Sequence, residues 1–300
     1  MKIAVTGAFS YSGKYIAKRL LERGEEVITL TNHPDRPDPF NGKIKTHPLN
    51  FANESELIQS LRGVDVLVNT YWIRFDKGGN TLPKAVENTK VLVNAAAKAG
   101  VKRIVHISIT NPSPASHLPY FWGKAANEKS VIDSGMSHAI LRPTVLFGKE
   151  DILINNIAWL LRRLPLFGLP GDGSYKLSPV YVDDLAQLAV DSVYRPDSYI
   201  WDAVGPDELT FKQTVELIAK TIGVSRPLIS LPPRMALLAA QILSLFLGDI
   251  LLTPEEVDGL MSNLLISNEP PRCSTSLKDW LAENKSTVGK EYASEIVRHF

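Results

Sequence analysis

The sequence lacks the features that mark several common classes of protein. Among its 300 residues there is one cysteine, Cys273, which excludes intramolecular disulfide bonds and cysteine-based metal sites. Its six histidines show no metal-ligand spacing, and we expect no bound metal. The formal net charge is +1, from 33 basic and 32 acidic residues. This balance predicts neither nucleic-acid binding nor attraction to an anionic membrane.

Long apolar runs are also scarce. The most apolar stretch, residues 235–252, is interrupted by Gln241, Gly248 and Asp249, and it falls short of the roughly 20 apolar residues that span a membrane. The run favours a buried helix, and the alternative is a helix that contacts a partner protein or a membrane surface. The chain enters a strand at once and shows no secretory signal, so we expect a cytoplasmic protein.

Strand and helix patterns alternate regularly through the first two-thirds of the chain. Uninterrupted apolar runs of this kind are typical of parallel strands that are buried on both faces. The predicted strands cover residues 1–6, 26–30, 44–48, 64–68, 103–108 and 138–142. This alternation predicts an α/β fold built on a Rossmann doubly wound parallel sheet.

The pattern changes beyond Gly148 and becomes mostly helical, with one return to the sheet near Tyr199. We therefore predict two regions. Residues 1–147 and 178–204 form a dinucleotide-binding Rossmann domain, and residues 148–177 and 205–300 form a smaller, mostly helical substrate or lid region.

The first strand-to-helix turn carries the clearest motif. Gly7 and Gly13 enclose Phe9, Ser10 and Tyr11 between the first strand and the first helix. Backbone N–H groups at a helix start bind phosphate, and glycine lets the backbone approach a pyrophosphate closely. These five residues therefore predict a site for NADP or NAD, against the alternative of a merely tight turn. Ser10 stands where a third glycine is often found, and its hydroxyl either crowds the pyrophosphate or bonds to it.

The choice between the two cofactors depends on the end of the second strand. A carboxylate there would accept a hydrogen bond from the ribose of NAD, whereas an arginine would pair with the phosphate of NADP. The residues present are Asn32, His33 and, a little later, Arg36. They give a slight preference for NADP, although Arg36 is equally well explained as a solvated loop charge.

Tyr120 and Lys124 are the candidate catalytic pair. Four residues apart on a helix, they share one face, and a nearby ammonium lowers the pKa of a phenol. We predict that Tyr120 is a general acid or base and that Lys124 activates it and binds the cofactor ribose. Ser108 and Thr110, after the fifth strand, are candidates to bond the substrate oxygen, or else simply polar residues that close a strand.

Four segments in order carry a family resemblance: Thr6–Gly13, Tyr120–Lys124, Arg142–Gly148 and Val182–Asp184. With them the chain resembles the extended or atypical short-chain dehydrogenases/reductases, which include epimerase/dehydratase-like proteins. The run Arg103–Asp184 particularly resembles the branch that contains the nucleotide-binding accessory subunit of respiratory complex I. The resemblance covers essentially the whole chain, and it implies a Rossmann domain, a smaller C-terminal substrate region and a catalytic Tyr–Lys pair.

The same resemblance completes the predicted cofactor site and shows where this chain departs from the family. Asn50 stands where the family usually has the Asp of its adenine loop, and we add it to the site with its neighbour Phe51 and with Pro143. Ile109 stands where many members have the catalytic Ser or Thr. Ser10 replaces the middle glycine. These departures imply an altered but usable cofactor site and an incomplete catalytic triad.

The substrate side also departs from the nucleotide-sugar epimerases, because Val145 and Leu177 stand where those enzymes place polar ligands. An apolar carbonyl or alcohol, bound beside Phe147, Trp159 and Phe167, is the small-molecule substrate that this implies. Two functions stay open. The first is an NAD(P)-dependent oxidoreductase or epimerase that acts on a carbinol or carbonyl centre, and the second is a non-catalytic NAD(P)-binding redox sensor, assembly factor or scaffold. No oligomeric state is predicted.

Overall fold

A seven-stranded parallel sheet organises the first part of the chain. The computed structural model describes residues 1–296. The sheet consists of β1 Lys2–Thr6, β2 Glu26–Thr31, β3 Lys45–Pro48, β4 Val66–Asn69, β5 Arg103–Ile107, β6 Ser137–Pro143 and, from later in the chain, β11 Tyr199–Ala203. Their spatial order is β11-β6-β5-β4-β1-β2-β3, and every neighbouring pair is parallel. The order reverses between β1 and β4, where ligands of doubly wound sheets usually bind.

Helices cover both faces of this sheet. They are α1 Tyr11–Glu22, α2 Glu54–Ser60, α3 Leu82–Ala99, α4 Pro119–Asp133 and α6 Val182–Val193. Helices α1 and α6 pack together, and α3 packs on both α2 and α4. All residues of β4 and β5 are consequently buried, which explains why most of them are apolar. The predicted doubly wound Rossmann sheet is confirmed.

The chain divides into two compact units, one of Met1–Pro143 with Val182–Ala203, and one of Thr144–Tyr181 with the chain from Val204 onward. The predicted boundaries lie a few residues away. The difference arises because β7 Val145–Phe147 and β10 Pro179–Tyr181 pair with each other and do not join the large sheet.

The second unit combines helices with short strands. Its helices are α5 Leu153–Arg163, α7 Phe211–Thr221, α8 Pro233–Leu247, α9 Pro254–Met261 and α10 Leu277–Asn284. Besides β7 and β10 it contains β8 Phe167–Pro170, β9 Lys176–Leu177, β12 Leu209–Thr210 and β13 Leu228–Leu231, which form two further two-stranded sheets. Strands of two to four residues are too short to show a sequence period, so the sequence predicted only the helices.

Two of the three aromatic residues expected to line a substrate cavity lie instead in the core of the second unit. Phe147 is fully buried and Phe167 is 7% exposed, and both pack in one cluster with Val145 and Leu177. The Trp159 ring packs edge-on against Tyr292 at 5.3 Å between ring centroids. Packing within the second unit therefore explains why these residues are apolar.

The apolar stretch at residues 235–252 differs most from expectation. Its helix, α8, ends at Leu247 because Gly248 adopts a left-handed conformation with φ of +62°. Ala236 is its buried residue, whereas Leu245 and Phe246 are each 83% exposed and three other large apolar side chains are at least half exposed. The prediction of a buried helix is wrong. Among residues 1–296, no helix combines the length and the apolar character required to cross a membrane.

Candidate functional site

The predicted site residues of the first unit gather at the carboxyl edge of its sheet. Each follows the end of a parallel strand, and these ends meet at one edge. The turn Gly7–Gly13 follows β1. Asn32, His33 and Arg36 follow β2, Asn50 and Phe51 follow β3, Ser108 and Thr110 follow β5, and Pro143 ends β6.

The glycine turn has the geometry of a phosphate cradle. Gly7 adopts a left-handed conformation with φ of +63°, and a Cβ atom on Gly13 would lie 2.1 Å from the Gly7 carbonyl oxygen, so a side chain at either place would displace the turn. The Ser10 hydroxyl donates to the Gly7 carbonyl at 2.6 Å and does not cap α1. The first N–H groups of α1 have no acceptors within the helix and are oriented to bind an anion. The turn therefore fits a dinucleotide pyrophosphate.

The loop after β2 is a tight turn without a carboxylate at its start. The His33 N–H donates to the Thr31 hydroxyl at 3.0 Å, and the Arg36 N–H donates to the His33 carbonyl at 3.3 Å. The residues that follow β2 directly are Asn32 and His33. A ribose hydroxyl would find no acidic acceptor at that point.

Asn50 and Phe51, on the predicted adenine side, are held by the protein itself. The Asn50 amide donates to the Glu56 carboxylate at 2.8 Å, and its oxygen accepts the Ala52 N–H at 3.1 Å, so its side chain shapes the loop before α2. The Phe51 ring lies 4.8 Å from the Tyr71 ring between centroids. Their contact with a cofactor stays a prediction.

Tyr120 and Lys124 lie on the first turns of α4, which starts directly after Leu118 with Pro119 at its first position. Lys124 is 3% exposed, its ammonium donates to the Ile107 carbonyl at 3.0 Å, and it lies 6.0 Å from the Tyr120 ring centroid. Burial lowers the pKa of Lys124 to about 7, against the opposing charge of Glu128. An ammonium here would stabilise a Tyr120 phenolate.

The hydroxyls of Ser108 and Thr110 make internal hydrogen bonds. Ser108 donates to the Glu128 carboxylate at 2.5 Å, and Thr110 donates to the Asp202 carboxylate at 3.0 Å. Arg142 binds both oxygens of Glu128, at 2.9 and 2.5 Å. Both hydroxyls are buried. They connect the segment after β5 to α4 and to β11, and a role in binding substrate stays a prediction for them.

Sequence reasoning missed a chain of buried polar residues that crosses β1, β4 and β5. The Thr6 hydroxyl donates to the Asn69 amide oxygen at 3.1 Å, and the Asn69 NH₂ donates to His106 Nδ1, also at 3.1 Å. All three residues are buried. Burial, aided by the Lys124 charge, lowers the pKa of His106 to about 3, so the imidazole is neutral. The available signal was a polar residue near the carboxyl end of each of three apolar strands.

Trp72 and Asn127 are also part of this region and were also missed. Trp72 follows β4 and packs on Tyr120 and Lys124. Asn127 lies one turn after Lys124 on α4 and is fully buried. Within residues 1–296 there is no group of three or more His, Cys, Asp or Glu side chains that could hold a metal ion. His299 lies outside the described residues.

Comparisons with known proteins identify the family and the fold. Residues 7–157 match the model of the NAD(P)H-binding family, and the chain belongs to that family. The match includes the glycine turn, α4 with Tyr120 and Lys124, and β6.

Individual relatives agree with this assignment. The chain is 25% identical over 278 residues to the mitochondrial 40 kDa subunit of NADH-ubiquinone oxidoreductase from Neurospora crassa, covering 88% of this chain and 72% of that one. The predicted resemblance to the branch with complex I subunits is confirmed.

Two solved structures share the fold. One is an NADPH-dependent quinone oxidoreductase from Escherichia coli in complex with NADPH, with a TM-score of 0.75, 22% identity, and coverage of 95% of this chain and 98% of that one. The other is a nucleoside-diphosphate-sugar epimerase from Staphylococcus aureus, with a TM-score of 0.74, 17% identity, and coverage of 94% and 100%.

Proposed function

We propose that this protein is an NADP-dependent oxidoreductase of the short-chain dehydrogenase type that acts on a carbonyl or carbinol carbon. The observation that carries the proposal is the buried Lys124 ammonium on the same helix as Tyr120. This helix, α4, follows β5, and β5 belongs to the same sheet as β1, which leads into the phosphate cradle. The placement of this ammonium beside the Tyr120 phenol suits proton transfer.

Each part of the site has a separate role in the proposed reaction. The turn from Gly7 to Gly13 binds the pyrophosphate through backbone N–H groups. A bound nicotinamide supplies or accepts the hydride. Tyr120 donates a proton to the substrate oxygen during reduction and takes it back during oxidation, while the Lys124 ammonium stabilises the phenolate. The absence of a carboxylate directly after β2 supports NADP over NAD.

We also propose that the substrate is an apolar or aromatic carbonyl compound or alcohol. The Escherichia coli protein of similar fold is named for quinone reduction, and quinones are carbonyl compounds of the proposed class. We further propose a cytoplasmic location.

A second candidate is a non-catalytic NAD(P)-binding scaffold or redox sensor. The exposed apolar side chains of α8 favour it, because such a face marks a contact site. The engagement of Ser108 and Thr110 within the protein also favours it, because neither hydroxyl then completes a triad. The fungal relative is named as a subunit of a larger complex.

Two measurements test these candidates: the first tests the cofactor binding that both require, and the second separates them. Calorimetry should show binding of NADPH, weaker binding of NADH, and loss of both in Gly13→Val, whose side chain cannot fit beside the Gly7 carbonyl. No heat with any of NADP, NADPH, NAD and NADH would overturn both candidates.

Oxidation of NADPH should then be followed with a panel of quinones and aromatic aldehydes. Tyr120→Phe should retain cofactor affinity and lose a factor of about 10²–10⁴ in turnover. Binding without turnover on any carbonyl, or turnover that Tyr120→Phe leaves unchanged, would favour the scaffold or move the proton donor elsewhere.

A further inference from the structure

Trp72 makes contact with both members of the Tyr120–Lys124 pair. Its ring meets the Tyr120 ring edge to face, at 5.7 Å between centroids and 86° between planes, and the Lys124 ammonium lies 5.0 Å from the centre of its indole. We infer that Trp72 is a positioning residue that fixes the Tyr120 ring and favours the charged form of Lys124. As a role in the reaction, this inference rests on the proposed function.

Helix α4 has a notch that admits this ring. A Cβ atom on Gly123, between the two members of the pair, would lie 2.6 Å from Cη2 of Trp72 and 3.3 Å from Cγ2 of Val86 on α3. A contact of 2.6 Å is closer than real carbon atoms approach, so any side chain at residue 123 would push the indole away. Glycine in a helix interior is unfavourable relative to alanine, and this close approach explains its presence.

Packing, and not a hydrogen bond, determines where the ring sits. The indole Nε1–H is buried and has no acceptor among residues 1–296. The backbone just before Trp72 is firmly held, because the N–H groups of Thr70 and Tyr71 both donate to the Thr6 hydroxyl, at 2.7 and 3.1 Å. A phenylalanine at residue 72 would keep an aromatic face without losing a bond.

The surroundings of Lys124 show why this face matters. Glu128, from the same helix, carries the opposite charge, but it is already paired with Arg142 of β6. His106 of β5 is neutral, and the Ile107 carbonyl accepts one ammonium proton. Helix α3 presents Val86 at this point. An aromatic face attracts a cation most strongly where water is excluded. Trp72 therefore stabilises the charge of Lys124, which the other neighbours stabilise only in part.

The test follows Lys124 itself and needs no substrate. The protein is labelled with ¹³Cε-lysine, the Lys124 resonance is assigned by its loss in Lys124→Met, and its titration is followed by NMR. Trp72→Leu should lower the midpoint by roughly one pH unit, and Trp72→Phe should stay close to wild type. Trp122→Leu is the matched control, because residue 122 lies about 200° around the helix from Tyr120, and it should leave the midpoint unchanged.

Gly123→Ala tests the notch. It should lower the midpoint in the wild-type background and have no further effect in Trp72→Leu, where the new Cβ meets no ring. An unchanged midpoint in Trp72→Leu, or an equal effect of Gly123→Ala in both backgrounds, would overturn the inference.

The pH profile of turnover connects the titration to the chemistry. With an active substrate, the loss of turnover at high pH should begin at lower pH in Trp72→Leu and return to the wild-type position in Trp72→Phe. A shifted midpoint together with normal turnover of Tyr120→Phe would leave the inference standing and overturn the proposed function instead.

Discussion

Helix α4 turns charged and polar side chains inward, whereas α8 turns apolar side chains outward. Lys124, Asn127 and Glu128 of α4 are each at most 5% exposed. Leu245 and Phe246 of α8 are each 83% exposed. Both helices therefore depart from the usual distribution of polar and apolar residues, in opposite directions.

The two departures differ in their physical consequences. A buried charge is tolerated only with partners, and on α4 these are present: Glu128 binds Ser108 and Arg142, and Lys124 donates to the Ile107 carbonyl. The polar interior of α4 is thus part of the fold and of the site at once. An exposed apolar side chain needs no partner to fold, so the face of α8 contributes little to the unit that carries it. Buried polar groups are typical of a reactive site, and exposed apolar groups are typical of a contact surface.

Removing a partner on α4 should have the largest effect on stability. Glu128→Gln breaks the paired interaction with Arg142, whose side chain is 27% exposed, and we expect a loss of about 3 kcal/mol in the free energy of unfolding. Urea denaturation measures it. Glu87→Gln, at an exposed position of α3, is the matched control and should change stability by no more than about 0.5 kcal/mol. Equal effects of the two variants would show that the polar interior of α4 does not support the fold.

The buried ammonium should make stability depend on pH. Because the folded protein holds the pKa of Lys124 at about 7, below the ordinary lysine value of 10.5, the unfolded chain binds more protons between these two values, and stability rises with pH across that interval. Lys124→Met removes this contribution. The difference in unfolding free energy, wild type minus variant, should rise by about 1 kcal/mol per pH unit between pH 7.5 and about 9.5.

Lys129→Met is the control for this measurement, since Lys129 is exposed on the same helix and pairs with Asp133. Its difference from wild type should stay constant with pH. If the difference in unfolding free energy for Lys124→Met is also constant with pH, the ammonium keeps an ordinary pKa in the folded protein. The contrast between a buried charge on α4 and the exposed apolar face of α8 would then lose its electrostatic basis.

The sequence predicted the sheet and singled out Tyr120 and Lys124 as a candidate pair, but it did not predict which residues surround that pair. Alternating apolar strands and helices indicate a doubly wound sheet through local periodicity, and Tyr120 and Lys124 are recognisable by their spacing. The sequence around His106 predicts only an apolar strand. Its hydrogen bond to Asn69 joins two strands that are distant in the sequence. The position of Trp72 depends on a missing side chain at Gly123. Such contacts are set by tertiary packing, which no local pattern reports.

The sequence could not predict the orientation of α8 either, because apolar residues occur on all sides of that helix and its pattern does not indicate which side faces protein.

The smallest expected effect tests whether the apolar side chains of α8 are exposed. Leu245→Ser combined with Phe246→Ser should change the free energy of unfolding by no more than about 0.5 kcal/mol, because both side chains are already in water. Ala236→Asp, on the buried side of the same helix, is the contrast and should cost about 2 kcal/mol or more, because it buries an unpaired charge. Urea denaturation of the three proteins gives the comparison. A loss above about 2 kcal/mol in the double variant would show that the face is packed within the protein, and the distinction between α4 and α8 would then disappear.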